Sequence, residues 1–369
     1  MTMRWQIAIE KDDIRQARLE TNIPEPTLEE GEIEVALRHY ALTANNVTYA
    51  TMGKSFGSWT DMPGYWAFFP HNDDSLGKLP VWGFAEIVRS KHPELEVGEE
   101  LYGYFPLSSH VILKPGRVSG SSLVDEMPHR QKLAPVYNQY NRVRGMGPDI
   151  QGERDLWPVF RPLFVTGYMI CDQFAEAGFY GSEQILIGSA SSKTALMTAR
   201  CFQKFENVPR LVGLTSPGNR AYVEASNLYD QVVVYSDVEA LDASLPTALI
   251  DMSGAGDVIN RIHLHFQEQL KFSCLVGISH WDAGRPQRDL PGAPIAPFFA
   301  PGRIKQRTED WGAGGLQARL ADIWADVVAM APNLTVIDRQ EGPKPALEAY
   351  QSLVMGKVDP SKSLILTHS

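Results

Sequence analysis

Glu183-Gln-Ile-Leu-Ile-Gly188-Ser-Ala-Ser-Ser192-Lys-Thr-Ala-Leu-Met-Thr-Ala-Arg-Cys-Phe-Gln203 reads as a short buried strand, a tight turn of small residues and a helix. At such a turn the helix N-terminus and its unpaired N–H groups favour an anion, and small side chains let a dinucleotide pyrophosphate approach the backbone. The turn departs from the G-x-G-x-x-G pattern: after Gly188 come Ser, Ala, Ser, Ser, Lys, Thr and Ala. Taken alone, a strand, a turn of small residues and a helix equally describe ordinary α/β packing. The neighbouring sequence decides between the two.

Working outward, the apolar period alternates between strand and helix. Gly167–Gly178 is expected as a helix ending on glycine, Gln184–Ile187 as a strand and Ser191–Lys204 as a helix. Strands at Leu211–Thr215, Gln231–Tyr235, Thr247–Asp251 and Cys274–Ile278 are interleaved with helices at Asn219–Asn227 and Asp257–His265. This alternation predicts a doubly wound parallel sheet. The first third is instead mainly β, with short runs at 3–20, 32–41, Gly83–Arg89, Glu100–Phe105 and His110–Lys114 separated by turn signals. Beyond the alternating region lie an irregular proline- and glycine-rich stretch, Trp281–Pro301, a helix near Leu316–Met330 and a strand at Ser363–Thr367. The expected fold class is α/β in two domains: a β-rich domain over 1–155, completed by about 305–369, and a Rossmann-type dinucleotide-binding domain over 156–304.

A chain of 369 residues with 44% hydrophobic content suits two cores. No run of eighteen apolar residues occurs, and the first residues lack the basic and apolar regions of a secretory signal, so a cytoplasmic location is expected. A formal net charge of −10 disfavours nucleic acid and anionic membranes as partners. Cys171, Cys201 and Cys274 stand far apart without a C-x-x-C pair, which excludes a disulfide framework and a four-cysteine zinc lobe.

A β domain, a Rossmann-type domain and a carboxy-terminal return resembles the medium-chain dehydrogenase/reductase superfamily. Local matches fall in order along most of the chain. Ile23-Pro24-Glu25-Pro26 through Gly31-Glu32-Ile33-Glu34-Val35 is similar to its "proline, then G-E-V-x-V" opening, and Tyr49 through Gly53 to its next loop. Leu79-Pro80-Val81-Trp82-Gly83-Phe84-Ala85-Glu86-Ile87-Val88 resembles "P-G-H-E-x-x-G-x-V", and Val97-Gly98-Glu99-Glu100-Leu101-Tyr102-Gly103 resembles "V-G-D-x-V-x-G". Phe164 through Tyr168 resembles the start of the helix before the cofactor domain. The superfamily's phosphate turn, G-A-S-G-G-V-G, aligns without a gap on Ser189-Ala190-Ser191-Ser192-Lys193-Thr194-Ala195. Phe298 through Lys305 resembles a zinc-free, divergent branch of largely undefined function. The resemblance implies a GroES-like β-rich catalytic domain and a homodimer.

Alcohol-oxidising members hold a catalytic zinc with cysteine and histidine, and here the matching positions are Ala44 and Trp82, neither of which can bind zinc. His263 and His265 on one helix point to different faces. No metal is expected. A Ser–His–Asp hydrolase is poorly supported as well, since Gly188-Ser189-Ala190-Ser191-Ser192 lacks the closing glycine of a G-x-S-x-G elbow. Without metal the scaffold resembles quinone oxidoreductases and enone or enoyl reductases, in which a nicotinamide delivers hydride to a polarised double bond. The second strand of the alternating region ends without a carboxylate, and Ser216, Asn219 and Arg220 follow. Ser216 can hydrogen-bond a ribose 2′-phosphate and Arg220 can pair with it, so NADP(H) is favoured over NAD(H), unless Arg220 is only a solvated charge. Ser189, Ala190, Ser191, Ser192, Lys193 and Thr194 form the phosphate turn, with Lys193 facing either the pyrophosphate or solvent. Ser253 resembles the turn beneath the nicotinamide ribose, and Gly277, Ile278 and Ser279 the strand end that meets the carboxamide.

Candidates for a proton donor or carbonyl-polarising group are Asn46, Tyr49, Tyr137 and Tyr140, since a phenol stays protonated at neutral pH and can donate to a developing enolate. Phe56, Trp59, Tyr65, Trp66, Phe68 and Phe69, with Phe298-Phe299, line a pocket, cover a sheet or seal a dimer interface. The expected activity is zinc-independent, NADP(H)-dependent hydride transfer to an activated C=C or carbonyl of an apolar or aromatic substrate. The altered turn leaves two alternatives: a non-redox NADP(H)-binding sensor or scaffold, and a redox-neutral isomerase or lyase.

Overall fold

The computed structural model of the protein describes residues 3–57 and 60–368, so Trp59 lies outside the described residues. Contacts divide the chain into two units. One comprises residues up to Val159, Ile337–Val358 and those from Lys362; the other comprises Phe160–Val336 and Asp359–Ser361.

The first unit is β-rich. Strand Ile33–Leu42 pairs antiparallel with Pro80–Ser90 on one side, and on the other with Lys362–Thr367 and with His110–Leu113. Strand Pro80–Ser90 in turn pairs antiparallel with Glu100–Pro106. These strands belong to a nine-stranded sheet, beside a three-stranded sheet built on Trp5–Glu10. Side chains alternate across a strand, and the register sets Trp82 opposite Tyr104, Gly83 opposite Gly103 and Phe84 opposite Tyr102. One face therefore carries four aromatic rings, and the other carries two glycines. A Cβ on Gly83 would come within 2.6 Å of Tyr40, and one on Gly103 within 2.3 Å of the Tyr140 ring. The missing side chains let those tyrosines lie against the sheet.

The second unit is the doubly wound sheet expected from the alternation. Strands β1 (Gln184–Ile187), β2 (Arg210–Thr215), β3 (Gln231–Val234), β4 (Thr247–Asp251), β5 (Leu270–Leu275) and β6 (Ile295–Pro297) lie all parallel in the order β3-β2-β1-β4-β5-β6. The order reverses between β1 and β4, which is where such sheets open a ligand crevice at their carboxyl ends. Leu186, Val212, Leu214, Val233 and Leu249 from the strands form a core with Ile262 and Phe266.

Three sequence expectations are corrected by tertiary context. The helix α1 spans Leu156–Glu176, starting well before Gly167, because Pro158 falls in its first turn and the interior Pro162 removes only one N–H. It ends as expected, with Gly178 at φ 57°. The helix α2 is Lys193–Phe202 and α3 is Arg220–Ala225; α4 is Gly256–Phe266. The helix α5 runs Ala300–Leu334, broken at Gly312 (φ 71°, ψ 158°), so it starts well before the expected Leu316 and takes in the last two residues of the stretch read as irregular. Ion pairs rather than an apolar stripe hold its first part: Arg303 and Arg307 both bond the buried Asp172 of α1, each at 2.7 Å through Nε. Since α5 packs in this unit, the second crossing between units falls at Val336 and not near residue 304.

Candidate functional site

The β1–α2 turn is shaped by its own side chains. Ser189 adopts φ 51°, a left-handed conformation that costs a residue with a Cβ about 1–2 kcal/mol. Its N–H donates to the Tyr235 hydroxyl at 2.9 Å. Ala190 is fully buried, with its N–H donating to the Leu214 carbonyl at 2.9 Å and its carbonyl accepting from the Tyr229 hydroxyl at 3.0 Å. The turn thus folds Ala190 into the sheet. Ser192 caps α2, its Oγ accepting from Ala195 N–H at 3.3 Å. Thr194 lies in the first turn of α2.

Lys193 heads α2, and its Nζ donates to the Pro360 carbonyl at 3.3 Å. Burial pushes its pKa down to about 8, against the opposing charge of Asp359. The Lys193 residue is half-buried, resting against the 359–361 segment. Across the turn, Asn219 Nδ2 donates to Ser191 Oγ at 3.1 Å, joining the end of β2 to the end of β1. Ser216 precedes it at the start of a single 3-10 turn and is half-buried. Arg220 is exposed and its Nε donates to Glu224 at 2.8 Å, one helical turn on.

On the other side of the switch point, Asp251 ends β4, buried to 2% exposure. Burial pushes its carboxyl up, opposed by hydrogen bonds from Gly254 N–H at 2.5 Å and Ser253 Oγ at 3.0 Å. A Cβ on Gly188 would stand 3.0 Å from that carboxylate, so β1 and β4 approach closely here. Ser253 accepts from His280 N–H at 2.9 Å through its carbonyl. Gly254, at φ 71°, leaves room only for Gly277 and Ile278, whose atoms lie 3.1–3.3 Å from a would-be Cβ. Ser279 Oγ is 3.4 Å from His280 Nδ1. The structure thus gathers Ser189, Ser191, Lys193, Ser216 and Asn219 on one side of the switch point, and Ser253, Gly277, Ile278 and Ser279 on the other.

In the β-rich unit the four proton-donor candidates separate. Asn46 is buried and fully committed to the fold, accepting from Thr43 N–H at 2.7 Å and donating to the Pro80 carbonyl at 3.0 Å. Tyr140 donates to the Tyr104 carbonyl at 2.8 Å and accepts at 2.7 Å from Arg130, itself buried and paired with Asp125. The polar atoms of both already have partners inside the fold. Tyr49 and Tyr137 come together on the aromatic face: the Trp82 indole N–H donates to Tyr49 Oη at 3.3 Å, and the Tyr137 and Tyr65 hydroxyls lie 3.2 Å apart. Burial pushes all these phenols up and keeps them protonated. Of the aromatic loop, Phe56, Tyr65, Trp66, Phe68 and Phe69 are buried, and Phe68 packs on Tyr104 and Tyr137, so these rings cover the sheet.

Sequence reasoning missed Tyr235 and Tyr104. Tyr235 follows β3 at the carboxyl edge, where a polar residue meets the site of a parallel sheet. Tyr104 was signalled by the alternation Tyr102-Gly103-Tyr104-Phe105. Among the described residues no group of three or more His, Cys, Asp and Glu could hold a metal ion. His263 instead lies within hydrogen-bond reach of the Pro291 carbonyl and the Ser273 hydroxyl, at 2.9 and 3.0 Å.

Two units of this construction define a class of protein, and solved structures share it end to end. CurA from Vibrio vulnificus matches with a TM-score of 0.63 at 12% identity, covering 100% of this chain and 99% of its own; its complex with NADPH matches at 0.61 and 14%, covering 99% of each. CurK enoyl reductase matches at 0.55 and 14% identity, covering 99% of each chain. A quinone oxidoreductase from Coxiella burnetii matches at 0.50 and 13%, again over 99% of each. What these structures share with the chain is the fold, a β-rich part together with a Rossmann-type part. By sequence the chain belongs to the family described as protein of unknown function (DUF2855), whose model matches residues 40–359. No curated protein matches the sequence. No helix among the described residues is long and apolar enough to cross a membrane.

Proposed function

We propose that the protein is an NADP(H)-dependent oxidoreductase that works without zinc and reduces an activated C=C or carbonyl of an apolar or aromatic substrate, such as an enone or quinone. The observation that carries this reading is the convergence of three loops at the reversal of a β3-β2-β1-β4-β5-β6 sheet, one of them opening α2 behind a capped turn that carries Lys193. A helix N-terminus with a lysine in its first turn suits a pyrophosphate. Ser189, Ser191, Ser192, Lys193 and Thr194 would bind it. Ser216, Asn219 and, once released from Glu224, Arg220 would hold a ribose 2′-phosphate, with no carboxylate to repel it. Ser253, Gly277, Ile278 and Ser279 would orient the nicotinamide end, which supplies hydride when bound. Tyr49 and Tyr137 each hold a proton on a phenolic oxygen at neutral pH, available to an oxygen that gains charge during reduction. The NADPH complex of CurA supports the reading at the level of the scaffold.

Titration of the protein into NADPH, followed by cofactor fluorescence, tests it: saturable micromolar binding is expected, and its absence at millimolar concentrations refutes the proposal. A panel of enones, quinones and aldehydes then reports turnover as NADPH loss. One observation favours the second reading, a non-redox NADP(H) sensor or scaffold: the turn closes on itself through Tyr235 and a strained Ser189. Binding without turnover across the panel would select it. A homodimer belongs to the proposal too, and light scattering in solution checks it.

A further inference from the structure

Two of the three cysteines meet across a helix contact. Cys171 lies in the carboxy-terminal half of α1, and Cys201 in the last turn of α2. The two helices approach closely at Gly167, where a Cβ would stand 2.8 Å from the Thr198 nitrogen and 3.0 Å from its Cα. Residues three or four apart share a helix face, so Cys171 follows Gly167 and Cys201 follows Thr198 on the sides that meet. Their contacts agree: the Cys171 thiol donates to the Thr198 carbonyl at 3.3 Å, and the Cys171 and Cys201 thiols hydrogen-bond to each other. Both residues are 0% exposed, and both thiols are free. The third cysteine, Cys274, lies on β5.

Burial pushes the Cys171 thiol well above its ordinary range, so the closed contact keeps it protonated and unreactive. The same burial disfavours a charged thiolate–metal complex, whereas a disulfide is neutral and needs no hydrogen-bond partner. Access comes from the end of α2. Gln203 and Lys204, directly after its last residue, are exposed, and a fraying helix terminus is where local opening costs least. Cys201 belongs to that last turn, and Cys171 waits beneath it.

We infer that Cys171 and Cys201 are a redox-modification site, closing to a reversible disulfide that fastens α1 to α2 when a small peroxide reaches the frayed end of α2. Cys201 Sγ, as thiolate, attacks one peroxide oxygen; the O–O bond breaks, and the departing hydroxide takes up the thiol proton as water. Cys171 Sγ then attacks the sulfenic sulfur, the S–S bond forms, and a second water leaves with the Cys171 proton. Each sulfur gives up one electron, and the peroxide takes both. A single bridge is not the disulfide framework that the cysteine spacing excludes: helix packing, not spacing, brings this pair together. The effect falls on α2, whose other end opens the turn at Ser189–Lys193, and oxidation makes a contact that can part into a fixed one. Failure of this inference leaves the reductase reading untouched.

The test treats the full-length protein with hydrogen peroxide well below its melting temperature, then blocks the remaining thiols in urea and maps the peptides by mass. The three thiols should fall to one, Cys274, with the Cys171 and Cys201 peptides joined, and dithiothreitol should restore all three. The oxidised wild type should melt higher by about 5 °C or more, since the bridge closes a loop of roughly 30 residues in the unfolded chain. Cys171→Ala and Cys201→Ala should each form no bridge and show no rise, while Cys274→Ala should behave as the wild type. Persistence of all three thiols, a bridge that includes Cys274 or joins two chains, or irreversible oxidation without a bridge would each overturn the inference. So would a bridge that forms only once urea has unfolded the protein. The decisive measurement uses the wild type, so a variant that folds poorly leaves the test intact.

Discussion

Replacing Lys193 by alanine tests the phosphate assignment quantitatively. In the free protein the amine bonds the Pro360 carbonyl at 3.3 Å and is depressed to about 8 by burial. Turning it to a phosphate gains a charge-assisted hydrogen bond of about 1.5–3 kcal/mol and gives up a neutral-acceptor one of about 1 kcal/mol. The difference is on the order of 1–2 kcal/mol, so Lys193→Ala should raise the NADPH dissociation constant roughly tenfold at pH 7. The sign of the pH dependence follows. The amine is charged below about 8 and loses its charge as pH rises through that value. Wild-type affinity should therefore be greatest near pH 7 and fall toward that of the variant by pH 9.5, while Lys193→Ala stays flat over the same range. Fluorescence titrations at constant ionic strength measure both. Equal dissociation constants for the two proteins at pH 7, or parallel pH profiles, would refute the reasoning and leave Lys193 as a tie to the 359–361 segment.

Three further outcomes are expected. Asp172→Asn removes the buried carboxylate shared by Arg303 and Arg307 and should cost about 3 kcal/mol in urea unfolding, the lower end for a broken buried pair because Glu176 still contacts both guanidinium groups; a loss below 1 kcal/mol would show that Glu176 suffices. Ser189→Gly removes the Cβ at φ 51° and should stabilise the protein by about 1 kcal/mol, with unchanged or lower stability counting against strain at this turn. His368, whose ring bonds Tyr40 at 2.8 Å, is pushed down to about 4 by burial and by the charge of Arg38. Its neutral form is favoured in the fold, so stability should fall as pH drops from about 6.5 toward 4, by on the order of 2–3 kcal/mol, and His368→Gln should flatten the urea midpoint over that window.

The alternation of strand and helix from Gln184 to Leu275 was legible because parallel strands buried on both faces leave continuous apolar runs, and helices leave a 3.6-residue period. These are local signals, and they determined the fold class, the position of the turn between β1 and α2 and the loops that end β2, β4 and β5. The start of α5 was illegible. Its sequence has no apolar stripe, and the ion pairs of Arg303 and Arg307 with Asp172 join residues more than 130 positions apart. Of the proton-donor candidates, residue type selected four, but only three-dimensional pairing could distinguish them: Asn46 and Tyr140 have their hydrogen bonds filled inside the fold, while Tyr49 and Tyr137 sit on one face with Tyr104. The same limit applied at the turn that decided the fold. Sequence by itself located Ser189–Thr194; tertiary structure decided that Ala190 faces inward, that Tyr235 holds the Ser189 amide and that Lys193 rests on Pro360. Apolar periodicity is written residue by residue along the chain, whereas the direction of a hydrogen bond depends on what distant segments bring within 3 Å.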